Sequence, residues 1–226
     1  MGLNFDDVAD RVDCGSGSSL DDLTTFTWIF WFNPKTLNNF DFIARKAVTG
    51  NDQKQMFVIA DGSFRFQVKR ATAHAEARAA AGTLASDTFQ MVAATYDSTN
   101  GPKLYKGSLT ETIAEVSYTA SYPVVGSGTE VTEATGNFVI GTNFDADLPG
   151  AGDISTVMVI NRELGVGELR QLQFNPHKIS GTVGFWQLGY AGGVSTQPDW
   201  SGTGNAGTIT GASQVGHFPL GLPFEV

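Results

Sequence analysis

Alternating hydrophobic and polar positions dominate this chain and predict β-strands. The segment 24–33 reads TTFTWIFWFN, in which Phe or Trp fills every second position from 26 to 32 and Thr, Ile or Trp the positions between. Because successive side chains of a strand point to opposite faces, this is a long strand with one hydrophobic and one mixed face. Similar patterns predict strands at residues 41–46, 56–60, 63–69, 89–96, 138–141 and 154–160.

The alanine-rich segment 71–81 has two competing interpretations. Its composition favours a helix by intrinsic propensity. Yet every second residue from 72 to 78 is polar and the residues between them are alanine. A period of two is the signature of a strand, and small inward side chains suit a closely covered sheet. We therefore predict a strand over residues 71–80.

Turn residues join several of these strands. Asp61-Gly62 lies between two strand patterns and predicts a two-residue hairpin. Asn100-Gly101 predicts a second hairpin in the same way. Pro34 ends the long aromatic strand, because proline cannot donate to a sheet ladder.

One segment has a convincing helical pattern. Val166, Leu169 and Leu172 recur at helical spacing within residues 165–174, and Pro176 follows them. Elsewhere short strands alternate with Gly- and Ser-rich turns, which predicts an all-β fold, an antiparallel β-sandwich or jelly roll. We expect residues 1–180 to form the sandwich and residues 181–226 a C-terminal extension, packed on the same domain or on a neighbouring subunit.

Composition excludes several classes of function. The 226 residues include 14 Lys and Arg against 23 Asp and Glu, a net charge of −9, so we expect no nucleic-acid partner. Cys14 is the single cysteine, which excludes an internal disulfide and a Cys-rich zinc site. No apolar run approaches the roughly 18 residues that a membrane span needs, so we expect no membrane insertion.

Three stretches carry a resemblance to a known family. They read NFDDVADRVDCGSGSSLDDLTTFTWIFWFNP (residues 4–34), FQMVAATYDSTNGPKLYKGS (89–108) and GDISTVMVINRELGVGELRQL (152–172). In order and spacing they resemble the LamG-like jelly-roll family of the concanavalin A-like lectin/glucanase superfamily. Asp7 and Ser155 depart from the pattern, since family members often carry glycine and an acidic residue there. Residues 198–213, PDWSGTGNAGTITGAS, are similar to an extension that often follows such domains in viral sequences.

The resemblance raises the question of catalysis. Glucanases of the superfamily use two carboxylates on one strand as nucleophile and acid/base. The closest pairs here, Glu111/Glu115, Glu130/Glu133 and Asp145/Asp147, all lie in polar, turn-like sequence. Neither a Gly-x-Ser-x-Gly elbow nor a His-Glu-x-x-His motif occurs. We therefore expect a protein that is not an enzyme.

The resemblance also implies a structural calcium ion, although no cofactor is required for the expected function. Superfamily relatives often hold the ion where an early acidic residue meets a late-strand Asp, and calcium prefers such oxygen ligands. By position the candidates are Asp6, Asp7 and Asp153. The alternative is that these acids lie in surface turns, which Ser155 favours because it replaces an acidic residue.

Glycan binding needs an aromatic face and a few planar polar groups. Trp31 lies on the mixed face of its strand, and Arg65, Gln67 and Lys69 share one parity of the segment SFRFQVK. These four residues are the candidate glycan-binding set. The alternative is that Trp31 packs beneath a loop and that the three polar side chains form a solvated sheet face.

Three functions follow from these observations. We expect a non-enzymatic virion protein that decorates a phage capsid or tail in many copies, with other virion proteins as partners and weak multivalent adhesion to polysaccharide. A free-standing carbohydrate-binding lectin is the alternative, and a polysaccharide hydrolase or lyase the second alternative. The amino terminus, MGLNFDDVADRVDCG, has no basic n-region and no apolar h-region, so we expect no signal peptide. This favours the virion surface, since virion proteins assemble in the host cytoplasm and leave by lysis.

Overall fold

The computed structural model describes residues 1–7, 9–48, 51–142, 152–190 and 195–216, without the side chains of residues 51 and 52. Within these ranges the chain forms sixteen strands, one α-helix and one short 3-10 turn. The strands are β1 (Gly2–Phe5), β2 (Arg11–Asp13), β3 (Thr25–Asn33), β4 (Asp41–Val48), β5 (Asn51–Val58), β6 (Phe64–Val68), β7 (Ala75–Arg78), β8 (Gln90–Asp97), β9 (Gly101–Ser108), β10 (Ala114–Glu115), β11 (Asn137–Ile140), β12 (Gly152–Ile160), β13 (Thr182–Gln187), β14 (Thr196–Gln197), β15 (Gly207–Thr210) and β16 (Ser213–Val215). The helix, α1, spans Val166–Phe174.

The strands form two antiparallel sheets that pack face to face. Sheet A has the order β10-β9-β8-β3-β12-β1-β16, with β13 also paired to β12. Sheet B has the order β14-β15-β2-β11-β4-β5-β6-β7. The predicted all-β sandwich with one short helix is therefore confirmed. In the described part of the chain, no helix has the length and apolarity that a membrane crossing requires.

The aromatic face of β3 lies in the core between the sheets, as its alternation predicts. Phe26, Trp28, Phe30 and Phe32 are at most 2% exposed. Trp28 packs edge-on against Phe66 of sheet B, with ring centroids 5.4 Å apart. This core therefore joins the two sheets through rings contributed by both.

The other face of β3 is also buried, beneath helix α1. Leu169 and Leu172 of the helix share a second apolar cluster with Ile29 and Trp31 of β3. The first turn of α1 is anchored by Glu168, whose carboxylate accepts the N–H of Gly165 (3.1 Å). The outer face of sheet A is thus covered by the helix.

The alanine-rich segment is a strand over part of its predicted length. Strand β7 covers Ala75–Arg78, and Ala75, Ala77 and Ala79 are fully buried against the core. The prediction over residues 71–80 is too long, because β6 ends at Val68 and offers no ladder beyond it. Residues 71–73 instead bond to the backbone of residues 127–129, in a segment that runs along this edge.

The turn at Asp61-Gly62 is a three-residue loop rather than the predicted two-residue one. The N–H of Ile59 donates to Ser63 O and that of Gly62 to Ile59 O, each at 2.9 Å. Gly62 has φ +75° while Asp61 has no positive φ. A type I turn followed by a left-handed glycine has this geometry, whereas a type I′ turn needs both central residues left-handed. The second predicted hairpin is confirmed between β8 and β9.

The described residues after 181 belong to both sheets. Strand β13 pairs with β12, β15 with β2, and β16 with β1. Trp186 of β13 is fully buried and stacks on Phe138 of β11, with centroids 5.5 Å apart. Residues 217–226 lie outside the described residues. Packing of the extension on a neighbouring subunit stays a prediction.

Candidate functional site

The outer face of sheet B carries a cluster of polar side chains on β5, β6 and β7. Gln55, Gln67 and Glu76 are cross-strand neighbours in register. Arg65 lies in the next row, opposite Arg78. Burial alternates along β6, so its Phe and Val side chains enter the core while Arg65 and Gln67 face outward.

Hydrogen bonds link four of these side chains into one array. Gln55 Nε2 donates to Gln67 Oε1. Gln67 Nε2 and Arg65 Nη2 both donate to Glu76 Oε1. We call Gln55, Arg65, Gln67 and Glu76 the planar polar array. Because each group is held by a neighbour, the array offers fixed amide, guanidinium and carboxylate edges.

Aromatic rings support one side of the array. The Arg65 guanidinium lies 5.8 Å from the centroid of the Phe57 ring. Phe57 in turn contacts Phe40 and Phe42, with centroids 5.3 and 5.5 Å away. Phe40 is 47% exposed, so an aromatic ring borders the array at the surface.

On the opposite side of the array, Arg78 is hydrogen-bonded to the turn between β5 and β6. Its guanidinium donates to Asp61 Oδ2 (2.7 Å) and to Ser63 Oγ (3.2 Å). Hydrogen bonding from Ser63, together with the Arg78 charge, keeps the pKa of Asp61 below its ordinary value. Asp61 therefore stays ionised and keeps Arg78 beside Arg65 on this face.

This surface presents hydrogen-bonding groups in fixed positions. A planar amide group donates and accepts hydrogen bonds at fixed angles, and a planar guanidinium group donates them. The Nε of Arg65 is buried and has no hydrogen-bond partner. This donor lies beneath the surface of the array and is not accessible to a ligand.

The structure brings together two of the four predicted glycan-binding residues, Arg65 and Gln67. Trp31 is fully buried, and its ring stacks on Phe89 with centroids 5.6 Å apart. It therefore offers no ring face to a sugar, which corrects its assignment. Lys69 follows the end of β6, is half-buried, and donates its backbone N–H to Gln53 O.

Sequence reasoning missed Gln55 and Glu76. The alternation of residues 72–78 places Glu76 on the polar face of its strand. Nothing in that alternation shows which residues lie opposite it, because register depends on how the strands pair.

The carboxylates considered for catalysis are engaged in other contacts. Glu111 pairs with Lys106 (2.6 Å), and Glu130 accepts from the Tyr96 hydroxyl (3.0 Å). Glu133 is buried and ion-paired with Lys54. The pair Asp145/Asp147 lies outside the described residues.

The acids proposed for calcium do not form a site in the described residues. Asp153 accepts from Asn4 Nδ2 (2.8 Å) and is ion-paired with Lys35 (2.9 Å). Asp6 and Asp7 donate their backbone N–H groups to Asp10 Oδ2. No group of three His, Cys, Asp or Glu side chains suited to a metal ion occurs among these residues. Asp153 does not fit the expected site, because a lysine already neutralises it, and calcium binding stays a prediction.

The family follows from the sequence. A family model, Laminin_G_3 of the concanavalin A-like lectin/glucanases superfamily, matches residues 6–170. The chain belongs to this family. Among curated proteins, none matches this Laminin_G_3 chain significantly.

Solved structures share the fold of this Laminin_G_3 protein. A candidate carbohydrate-binding protein from Bacteroides ovatus superposes with a TM-score of 0.63 at 16% identity, over 94% of this chain and 58% of its own. Tailspike protein 2 of the Escherichia coli O157:H7 bacteriophage CAB120 superposes with a TM-score of 0.55 at 13% identity, over 83% of this chain and 26% of its own. The chain therefore spans little more than half of the first protein and a quarter of the second.

Proposed function

We propose that this protein is a non-enzymatic carbohydrate-binding protein and that the planar polar array contacts the sugar. We further propose that it is a structural protein of a virion, displayed in many copies on a phage capsid or tail. The observation that carries the binding role is the array itself, in which Glu76 orients both Arg65 and Gln67 on an outward sheet face.

The composition of the array supports a sugar ligand. Neighbouring hydroxyls of a pyranose present donors and acceptors that planar amide and guanidinium edges can match in pairs. Phe40 adds an exposed ring at the border, suited to the C–H face of a sugar. The Lectin-like fold shared with the Bacteroides ovatus protein agrees with this role, although a fold does not by itself define a function.

Two further observations support the virion part of the proposal. Residues 198–213 resemble an extension found in viral sequences, and a phage tailspike contains a domain of the same fold. Many copies on a particle would make weak sugar sites effective, because binding of one copy raises the effective concentration of the others. Capsid and tail genes beside this gene would support that placement, and secretion genes there would favour a free-standing lectin.

The binding role is tested by affinity electrophoresis through soluble β-glucan, xylan and galactomannan. Gln67→Ala removes the hydrogen bonds to Gln55 and Glu76 and should weaken retention about tenfold, equivalent to roughly 1.4 kcal/mol. Gln171→Ala is the matched control, since Gln171 is an exposed glutamine of α1 on the opposite side of the sandwich. Equal retention of Gln67→Ala and the unsubstituted protein would contradict the proposed site, and no retention on any polymer would contradict the function.

A further inference from the structure

Two exposed aromatic residues form a pair outside the planar polar array. Tyr190 is 60% exposed and Trp200 is 46% exposed. Their ring centroids are 5.8 Å apart and the rings are almost perpendicular, at 86°. The other three tryptophans of the chain, Trp28, Trp31 and Trp186, are at most 2% exposed. We call Tyr190 and Trp200 the aromatic pair.

The loop that carries Trp200 is held in place by the preceding Asp199. Its two carboxylate oxygens accept five hydrogen bonds, from the backbone N–H groups of Phe185, Ser201 and Asn205 and the hydroxyls of Ser201 and Thr203. The N–H of Trp200 also donates to Phe185 O of β13 (2.7 Å). The indole is therefore presented to solvent by a fixed backbone.

The loop that carries Trp200 is otherwise polar in sequence. Residues 199–206 read DWSGTGNA, so Trp200 is the one large apolar side chain of its loop. A stable protein interface buries roughly 1,200–2,000 Å² around an apolar centre. An isolated Trp and Tyr within hydroxyl and carboxylate groups instead match a pyranose, whose C–H face packs on a ring while its hydroxyls meet polar neighbours.

We propose that the aromatic pair is a second carbohydrate contact, selective for uncharged sugars. The inference deepens the proposed function and rests on it for the class of ligand, but it concerns different residues. An uncharged ligand is favoured because Asp199 would repel an acidic sugar. Trp200 lies beside β13, which pairs with β12 of sheet A, whereas the array lies on β5 to β7 of sheet B.

Two separate surfaces would allow one protein chain to contact a polysaccharide at two points. The aromatic pair is attached to a strand of sheet A and the array to the outer face of sheet B, so the two surfaces belong to different sheets. One chain could then hold two segments of the same polysaccharide, or two polymer chains. Binding to a long polymer should be stronger than binding to a short oligosaccharide, because the second contact becomes intramolecular.

Acrylamide quenching of tryptophan fluorescence tests the aromatic pair directly, since Trp200 is the accessible tryptophan. The probes are laminaritetraose, xylotetraose and mannotetraose, short oligosaccharides used in place of the polymers. We expect at least one of them to protect Trp200 from quenching. Tyr190→Ala should raise the concentration needed for half-protection about tenfold. Phe174→Ala is the matched control, because Phe174 is an aromatic residue of similar exposure on α1.

The outcomes separate this inference from the proposed function. Protection that is lost in Tyr190→Ala and kept in Gln67→Ala supports the second contact, even if the array proves inactive. Unchanged half-protection in Tyr190→Ala overturns it, as does a lack of protection by all three oligosaccharides, whatever Gln67→Ala does to polymer retention. Loss of self-association in Tyr190→Ala without an effect on sugar protection would assign the pair to a protein interface and also overturn it.

Discussion

The two outer faces of the sandwich come from the same kind of strand but have opposite characters. On sheet A, Ile29 and Trp31 of β3 point outward and are buried beneath helix α1. On sheet B, Arg65 and Gln67 of β6 point outward and remain partly exposed. A strand with apolar residues on both faces needs a cover on each side, whereas a strand with one polar face can leave that face open to a ligand.

This difference explains which aromatic residues are available for binding. Trp31 lies on an outward face, yet the helix and Phe89 cover it. Phe40, Tyr190 and Trp200 lie in loops and are exposed. Among the described residues, the most exposed aromatic side chains therefore lie outside the strands, in loops or, for Phe174, at the end of α1.

The largest loss of unfolding free energy should follow from removing a large side chain from the covered face of sheet A. Trp31→Ala removes the ring that stacks on Phe89 and leaves a cavity beneath α1, which should cost about 3–5 kcal/mol of unfolding free energy. Urea denaturation followed by circular dichroism measures it. A loss below about 1 kcal/mol would mean that the helix side of sheet A is loosely packed and that the contrast between the faces is small.

A smaller but substantial loss of unfolding free energy is expected when one charge of a buried ion pair is removed. Glu133 and Lys54 form a buried ion pair, in which burial raises the pKa of Glu133 and lowers that of Lys54. Glu133→Gln leaves the lysine without its counter-charge and should cost about 3 kcal/mol. Glu76→Gln, on the open face, is the control and should cost about 1 kcal/mol or less. Similar losses from both substitutions would show that the open face is as desolvated as the interior.

The loop of Trp200 should respond to pH through Asp199. Burial tends to raise the pKa of Asp199, but its hydrogen bonds, led by those from Ser201, outweigh burial and keep the pKa below the ordinary value. A depressed pKa stabilises the fold above about pH 4, and this contribution is lost as the pH falls through the folded-state pKa. Asp199→Asn should cost about 2 kcal/mol at pH 7.

The same substitution should make the unfolding free energy depend less on pH in the acidic range. Urea unfolding of Asp199→Asn and the unsubstituted protein at a series of acidic pH values measures both effects. If the unfolding free energies of the two proteins fall in parallel as the pH is lowered, the expected contribution of Asp199 is contradicted. In the folded protein the acrylamide-quenchable part of the tryptophan fluorescence comes from Trp200, because the other tryptophans are buried, and it reports whether the loop loosens first.

The smallest stability effect is expected on the open face. Gln67→Ala should change the unfolding free energy by about 0.5 kcal/mol, because its side chain contributes to a surface array and not to the core. The substitution should nevertheless weaken polysaccharide retention, so stability and binding separate at this position. A loss comparable with that of Trp31→Ala would instead assign Gln67 a structural role.

The sequence by itself determined the fold class and most of the strands. The alternation along β3 and the helical spacing of Val166, Leu169 and Leu172 depend on local periodicity, which the backbone geometry of each element enforces. For the same reason the inward alanines of β7 were predictable although their propensity favours a helix.

Tertiary structure decided the length of β7, the cover over Trp31 and the composition of the array. Each depends on which segment pairs with or packs on another, and such contacts join residues far apart in sequence. Gln55 meets Gln67 and Gln67 meets Glu76 through strand register, while Trp31 is hidden by a helix that begins at Val166. Periodicity assigns a side chain to a face, and only the packing of the whole chain decides whether that face is open or covered.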